Sequence, residues 1–248
     1  MKTIYILWLR QLKRYIRSKS RIVGSLAQPL LFLLALGYGM GPVFQKAGQG
    51  NYIQFLAPGI IGMSIIFTSI FYGLEIIWDR QFGFLKETLV APVSRFNIMI
   101  GRTLGGATVA TVQGVIVFLI SMLVGFRPVS FPLALVAVLF MLLVAILFSA
   151  IGITIASLLD DMQGFQLIMN FLVMPLFFLS GAIFPLQNVP GVIEKIAMFD
   201  PLSYGIDAFR QLLVNISHFG LMTDLTVLVA VTLFFLSLGS YFFSKVQI

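Results

Sequence analysis

Trp78–Arg102 reads WDRQFGFLKETLVAPVSRFNIMIGR, the one internal segment in which charge returns in quantity between long apolar runs. It carries Asp79, Arg80, Lys86, Glu87, Arg95 and Arg102. Phe82, Leu85 and Leu89 fall on one face at helical spacing. Ala91-Pro92 ends such a helix, because the residue before a proline is pushed out of the helical region. Ser94 is then placed to cap the helix that follows. A short amphipathic helix in a loop over residues 79–102 is the expectation, and a bare solvated loop is the alternative.

The flanking runs decide what that loop is anchored to. The chain has 248 residues, of which 59% are hydrophobic and only 10% charged. A soluble domain carries roughly a quarter charged residues, so this composition is that of an all-α integral membrane protein. Crossing a hydrocarbon core of about 30 Å takes about 20 apolar residues. Six runs meet that length, near Ile22–Met40, Phe55–Trp78, Leu104–Phe126, Phe131–Leu159, Leu167–Phe184 and Leu225–Phe243. They form one transmembrane domain over residues 1–248. Pro29, Pro58 and Pro175 fall within spans and are expected to kink or interrupt them.

Six spans put both termini on one side. Lys2, Arg10, Lys13, Arg14, Arg17, Lys19 and Arg21 precede the first span; Arg80, Lys86, Arg95 and Arg102 follow the second; Lys245 follows the last. The other side carries Lys46, Arg127, Lys195 and Arg210. By the positive-inside rule the termini and the 79–102 loop are expected to be cytoplasmic in a multi-pass protein of the cell membrane.

Residues 1–21 lack the compact apolar core and cleavage site of a signal peptide. On a helical wheel Arg10, Lys13, Arg14, Arg17 and Arg21 share one arc, with Ile4, Tyr5, Trp8, Leu9, Leu12, Tyr15 and Ile16 opposite. This pattern predicts an interfacial amphipathic helix, apolar face in lipid and basic face toward anionic headgroups or an acidic partner. A topogenic basic anchor without a partner gives the same pattern. Residues 185–224 separate the last two spans without being polar. Pro190–Phe199 and Ser203–Val214 read as two external, half-buried re-entrant helices, the second opened by Asp200 as cap and Pro201 at its first position.

Little in the chain suggests catalysis. There is one histidine, His218, no cysteine, and no G-x-x-x-x-G-K-[ST] loop, so the chain has no P-loop of its own for ATP. The net charge of +7 sits mostly beside membrane spans, which points to lipid headgroups rather than nucleic acid. Glu75 is an ionisable residue inside a span, one turn before Asp79; it reads as paired at the interface or as a coupling site. Asp160 and Asp161 mark a short turn that either meets a basic partner or simply terminates helices. Spans almost free of charge suit an apolar or amphiphilic cargo, along a path that Phe67, Phe71, Phe171, Met174 and Phe178 could line. Lipid-facing aromatics look the same in sequence.

Three stretches resemble those of type-2 ABC exporter permeases of the daunorubicin-resistance and nodulation-export kind: Phe82–Arg95, the run MPLFFLSGAIFP at Met174–Pro185 with Asn188 and Pro190 after it, and DPLSY at Asp200–Tyr204 leading to Asp207 and Arg210. The resemblance covers essentially the whole chain. It implies that the 79–102 loop is a coupling helix docking on a separate P-loop ATPase, with Gly83, Leu85, Glu87, Leu89, Ala91, Pro92, Ser94 and Arg95 at the contact. ATP and magnesium would be bound by that partner, and this chain, itself no enzyme, would bind no cofactor. Ser180, Gly181, Phe184, Pro185, Pro201 and Tyr204 would belong to an external gate. Two permease copies would pair with two ATPases to move drugs, lipids or lipid-linked glycans outward. Phe84-Leu85-Lys86-Glu87 departs from the family pattern, where a small residue and a leading glutamate are common. A different reading of the same spans is an ATP-independent secondary transporter or channel, which would need intramembrane ion ligands or an internal repeat.

Overall fold

The computed structural model describes residues 2–48, 50–84, 93–187 and 189–245. Over those residues the chain forms α1 (Lys2–Arg17), α2 (Lys19–Lys46), α3 (Tyr52–Phe71), α4 (Leu74–Gln81), α5 (Arg95–Leu123), α6 (Phe131–Leu158), α7 (Met162–Leu179), α8 (Gly191–Phe199), α9 (Pro201–Val214) and α10 (Leu221–Ser244). Six helical spans are long and apolar enough to cross a membrane: α2, α3 with α4, α5, α6, α7 and α10. The all-α, six-span expectation holds.

The second span is the hub. Its most apolar window is 78% buried, against 17% for the first and last spans. The α3 helix packs against α2, α5, α6 and α9, and α6 packs against α5 and α10. Backbones meet where the second and fourth spans cross. A Cβ on Gly73 would overlap the Gly152 carbonyl, and one on Gly152 would overlap the Ile70 carbonyl; small residues allow this approach in the membrane, where packing replaces the hydrophobic drive.

The span boundaries differ from the sequence reading for local reasons. The second span is not one uninterrupted helix. Around Tyr72–Gly73 its bonds tighten to the i→i+3 pattern, with Gly73 N–H donating to Ile70 O at 2.9 Å, so α4 starts as a separate segment. The third span begins at Arg95, because the Ser94 hydroxyl accepts from Asn97 N–H and caps it there. The fifth span stops at Leu179 rather than Phe184: Gly181 adopts φ +76°, which ends the helix. Pro29, Pro58 and Pro175 do not interrupt their spans, since α2, α3 and α7 continue past them.

Asp200 caps α9 by accepting from Leu202 N–H at 2.8 Å, with Pro201 at the first helical position. The two helices before the last span differ in depth. The α8 helix is mostly exposed with Ala197 buried, whereas Leu202 through Arg210 of α9 are all buried among α3, α6 and α10. Neither helix is half-buried as expected: α8 is more exposed, and α9 is more buried because it fills the bundle's interior at that end.

Candidate functional site

The end of the bundle that carries α1 is assembled on two glycines. Gly101 and Gly105, one turn apart on α5, leave a bare strip of backbone. A Cβ at Gly105 would lie 2.8 Å from the Gln11 Cβ, and one at Gly101 would lie 3.1 Å from the Ile4 carbonyl oxygen. The α1 helix lies on that strip with Leu7, Gln11 and Tyr15 buried, and the Trp8 indole N–H donates to the Thr108 hydroxyl at 2.9 Å. The face expected to enter lipid is thus partly spent on protein, although Tyr5 and Ile16 remain exposed.

This docking turns two of α1's arginines toward α4. Glu75 and Asp79 stand four residues apart on α4, hence on one face, and both are buried. Arg21 of α2 donates to Glu75 at 2.8 Å, with Arg14 of α1 at 3.5 Å from the other oxygen. Arg102 of α5 donates to Asp79 at 2.6 Å, with Arg10 of α1 at 3.5 Å. Arg21 also lies over the Tyr72 ring at 4.7 Å and Arg14 over Trp78 at 5.8 Å, each adding a cation–π contact. Two carboxylates therefore hold four guanidinium groups from three helices. The expected outward basic face is corrected in part: Arg10 and Arg14 turn inward to acids of the same chain, while Lys13 and Arg17 are exposed.

The clamp extends to the rest of that end. Arg80 donates to the Leu159 carbonyl at 3.2 Å and pairs with Asp160, while Gln81 donates to the Asp160 carbonyl. Asp161 caps α7 through Gly164 N–H. The Asp160-Asp161 turn thus terminates helices and ties to α4. Arg95 donates to the Ser244 carbonyl at 2.7 Å, joining the start of α5 to the end of α10. Both helices that lead into and out of residues 85–92 are fastened to their neighbours.

Of the residues expected in the coupling contact, Leu85, Glu87, Leu89, Ala91 and Pro92 lie outside the described residues. Gly83 has φ +80°, and Phe82 before it closes α4 and is 71% exposed. The expected helical face of Phe82, Leu85 and Leu89 includes two residues that lie outside the described ones.

The opposite end is organised by a second arginine. Arg210, buried in α9, donates to the carbonyls of Gly181 at 2.6 Å, Ala182 at 3.1 Å and Phe55 at 3.3 Å, and lies 3.8 Å over the Phe55 ring. Burial pushes its pKa down to about 9, against the pull of Asp207. Tyr52 O–H donates to the Ile183 carbonyl at 2.8 Å, and a Cβ on Gly59 would overlap the Ala182 carbonyl. The turn after α7 is therefore held from α3 and α9 together. Asp207, one turn before Arg210, accepts from the N–H groups of His218 and Phe219, both at 2.8 Å, and from Ser217. Ser180, Pro185, Asp207 and Arg210 help line a cleft of about 340 Å³. Tyr204 O–H donates to the Met198 carbonyl, its ring stacked on Phe219 at 4.7 Å, and Phe184 is half-buried. Of the expected gate residues, Gly181 accepts from Arg210, Ser180 and Pro185 share its cleft, and Pro201 opens the helix that carries it. Arg210 and Asp207 stood in the sequence motif, and their charge inside an apolar helix was the signal that marks them. Asp200 has a second oxygen without a partner among the described residues, and burial pushes its pKa up to about 8.

The expected cargo path is not assembled within one chain. Phe67 and Phe71 stack at 6.4 Å against a cavity between α2, α3 and α5. Phe171, Met174 and Phe178 lie on the exposed face of α7, whose buried face is Phe165, Met169, Val173 and Phe177.

Residues 2–214 match the family described as ABC-2 type transporter. The chain is 30% identical over 219 residues to ycf38 of Cyanophora paradoxa, whose name carries the words transport permease, covering 86% of this chain and 74% of that one. Nodulation protein J of Sinorhizobium fredii is 26% identical over 222 residues (88% and 84% covered), and that of Azorhizobium caulinodans 29% over 228 residues (91% and 87%).

Proposed function

Because the chain belongs to the ABC-2 type transporter family, we propose that it is the membrane subunit of an ATP-driven exporter whose energy enters at residues 79–102. A separate P-loop ATPase docks there. Two copies of this chain pair with two ATPases, and both termini face the cytoplasm of a cell membrane. The cargo is a hydrophobic or amphiphilic molecule such as a drug, a lipid or a lipid-linked glycan.

The observation that carries the reading is the Asp79–Arg102 pair at 2.6 Å. It bridges the two helices between which the docking segment runs, so a push on that segment moves α4 and α5 together. Through Glu75 and Asp79 the same push reaches α1 and α2. Work follows only if the ATPase contacts this surface differently in its two nucleotide states, since equal binding to both would shift no equilibrium.

The test is gentle extraction of the tagged chain. A P-loop ATPase should come with it in equal amount, and Glu87→Ala with Arg95→Ala should lose the ATPase while still inserting in the membrane. A chain that purifies alone and moves its cargo without ATP would sink the proposal.

A further inference from the structure

We infer that the cavity between α2, α3 and α5 is a binding site for one membrane amphiphile with an uncharged head bearing hydroxyl or amide groups. The inference stands on the cavity itself and holds whether or not the chain is an exporter subunit. The space is about 260 Å³ and runs from the α1 end into the bundle. Three polar side chains that line it, Tyr15, Ser64 and Gln113, are each more than nine-tenths buried. Among the described residues, the Tyr15 hydroxyl, the Ser64 hydroxyl and both ends of the Gln113 amide have no hydrogen-bond partner.

Depth makes this arrangement costly. Gln113 lies 18 residues into α5, about 27 Å along it at 1.5 Å per residue. In hydrocarbon each unpaired polar group costs several kcal/mol. Four other hydroxyls in these spans avoid the cost by bonding backward: Thr111, Ser121, Thr154 and Thr232 each donate to the carbonyl four residues earlier. Ser64 does not, and a glutamine amide has donors and an acceptor to satisfy at once. An occupant with both kinds of group meets all of these needs.

The head must be uncharged. Arg21 borders the cavity, but its guanidinium is already paired with Glu75 at 2.8 Å and covered by Tyr72. The other groups inside are neutral, so neither an anion nor a cation finds a free counter-charge. Phe67 supplies an apolar wall, and the exposed Gln28 of α2 marks the side on which the space opens. That flank is a span whose apolar window is only 17% buried, which gives an acyl chain somewhere to lie.

The experiment uses the full chain in nanodiscs of phosphatidylcholine, with a diacylglycerol carrying a diazirine in one acyl chain as the probe. Ultraviolet light should label peptides of α2 and α3 around Gln28 and Phe67. Unlabelled diacylglycerol should compete, while phosphatidylglycerol with the same chains should not. Replacing Ser64→Ala removes one hydrogen bond and should weaken labelling by about fivefold. Gln113→Leu should abolish it, without lowering the unfolding temperature of the empty protein, since an unpaired amide is removed. If Gln113→Leu fails to fold, Ser64→Ala and the probe-induced rise in unfolding temperature decide the matter. Labelling unchanged in Ser64→Ala, equal competition by phosphatidylglycerol, or oxidation of Met63 in the cavity by hydroxyl radicals at the rate of a water-exposed residue would each overturn the inference, the last by placing water there instead.

Discussion

Removing Arg102 tests whether the charged clamp is a fold-bearing unit. Arg102 is 3% exposed and its main carboxylate partner, Asp79, is 5% exposed. Breaking a buried pair from one side costs about 3–5 kcal/mol, because the survivor keeps its desolvation penalty and loses its counter-charge. In Arg102→Met, Asp79 still has Arg10 at 3.5 Å, a half-exposed group, so the loss should lie near the lower bound of about 3 kcal/mol. In Asp79→Leu the buried guanidinium is stranded, and the loss should approach about 5 kcal/mol. Replacing both with apolar side chains removes both penalties, so Asp79→Leu/Arg102→Met should return to within about 1 kcal/mol of the parent. Reversible unfolding in mixed detergent micelles, titrated with sodium dodecyl sulfate, measures all four proteins. Losses that simply add, within the scatter of about 0.5 kcal/mol expected of independent sites, would refute the buried-pair reasoning.

Further expectations concern the other contacts. The chain has no cysteine, so Leu7→Cys/Gly101→Cys should give one clean disulfide on oxidation, read by a mass loss; a Cβ at 101 falls 3.1 Å from the Leu7 Cβ. Failure to cross-link would mean that α1 does not rest on α5. Gly105→Leu should release α1 and quench-expose Trp8, at a cost of about 1–3 kcal/mol from overpacking. Arg210→Leu strands three carbonyls and should destabilise by about 3 kcal/mol, with Arg210→Lys recovering only part, as urea unfolding would report. Asp200 has a folded-state pKa near 8, raised from 3.8. Its contribution is therefore fully present below the lower value and lost as pH rises through the higher one, at about 1.4 kcal/mol per unit. The unfolding temperature should fall between pH 5 and pH 8.5, and Asp200→Asn, which keeps the cap to Leu202, should flatten that slope.

Span number and the ends marked by side-chain caps were legible because they are written locally. Apolar run length gives the spans, and Ser94, Asp200 and Pro201 announce the helices they start. What escaped depends on partners distant in sequence. Nothing near Arg10 or Arg14 says that α1's basic residues will meet Glu75 and Asp79, because that follows from α1 lying on Gly101 and Gly105. Glu75 was readable as an interfacial pair, yet its partners Arg14 and Arg21 were not. Arg102 looked like a loop charge beside the third span, whereas the Ser94 cap puts it two turns inside α5 and buries it. The break at Tyr72–Gly73 has no proline to announce it and arises where a neighbouring backbone comes close. Likewise, Phe171 and Phe178 are apolar whether they face a path, a lipid or another chain, so composition alone gave no direction.

The most direct test is the rate of ATP hydrolysis in proteoliposomes containing the partner ATPase with either the parent chain or Asp79→Leu/Arg102→Met. The variant should capture as much ATPase as the parent, since every residue expected at the contact, from Gly83 to Arg95, is unchanged, but should lose the hydrolysis that depends on the membrane subunit. If the variant drives hydrolysis as fast as the parent, the clamp does not carry motion from residues 79–102 into the spans.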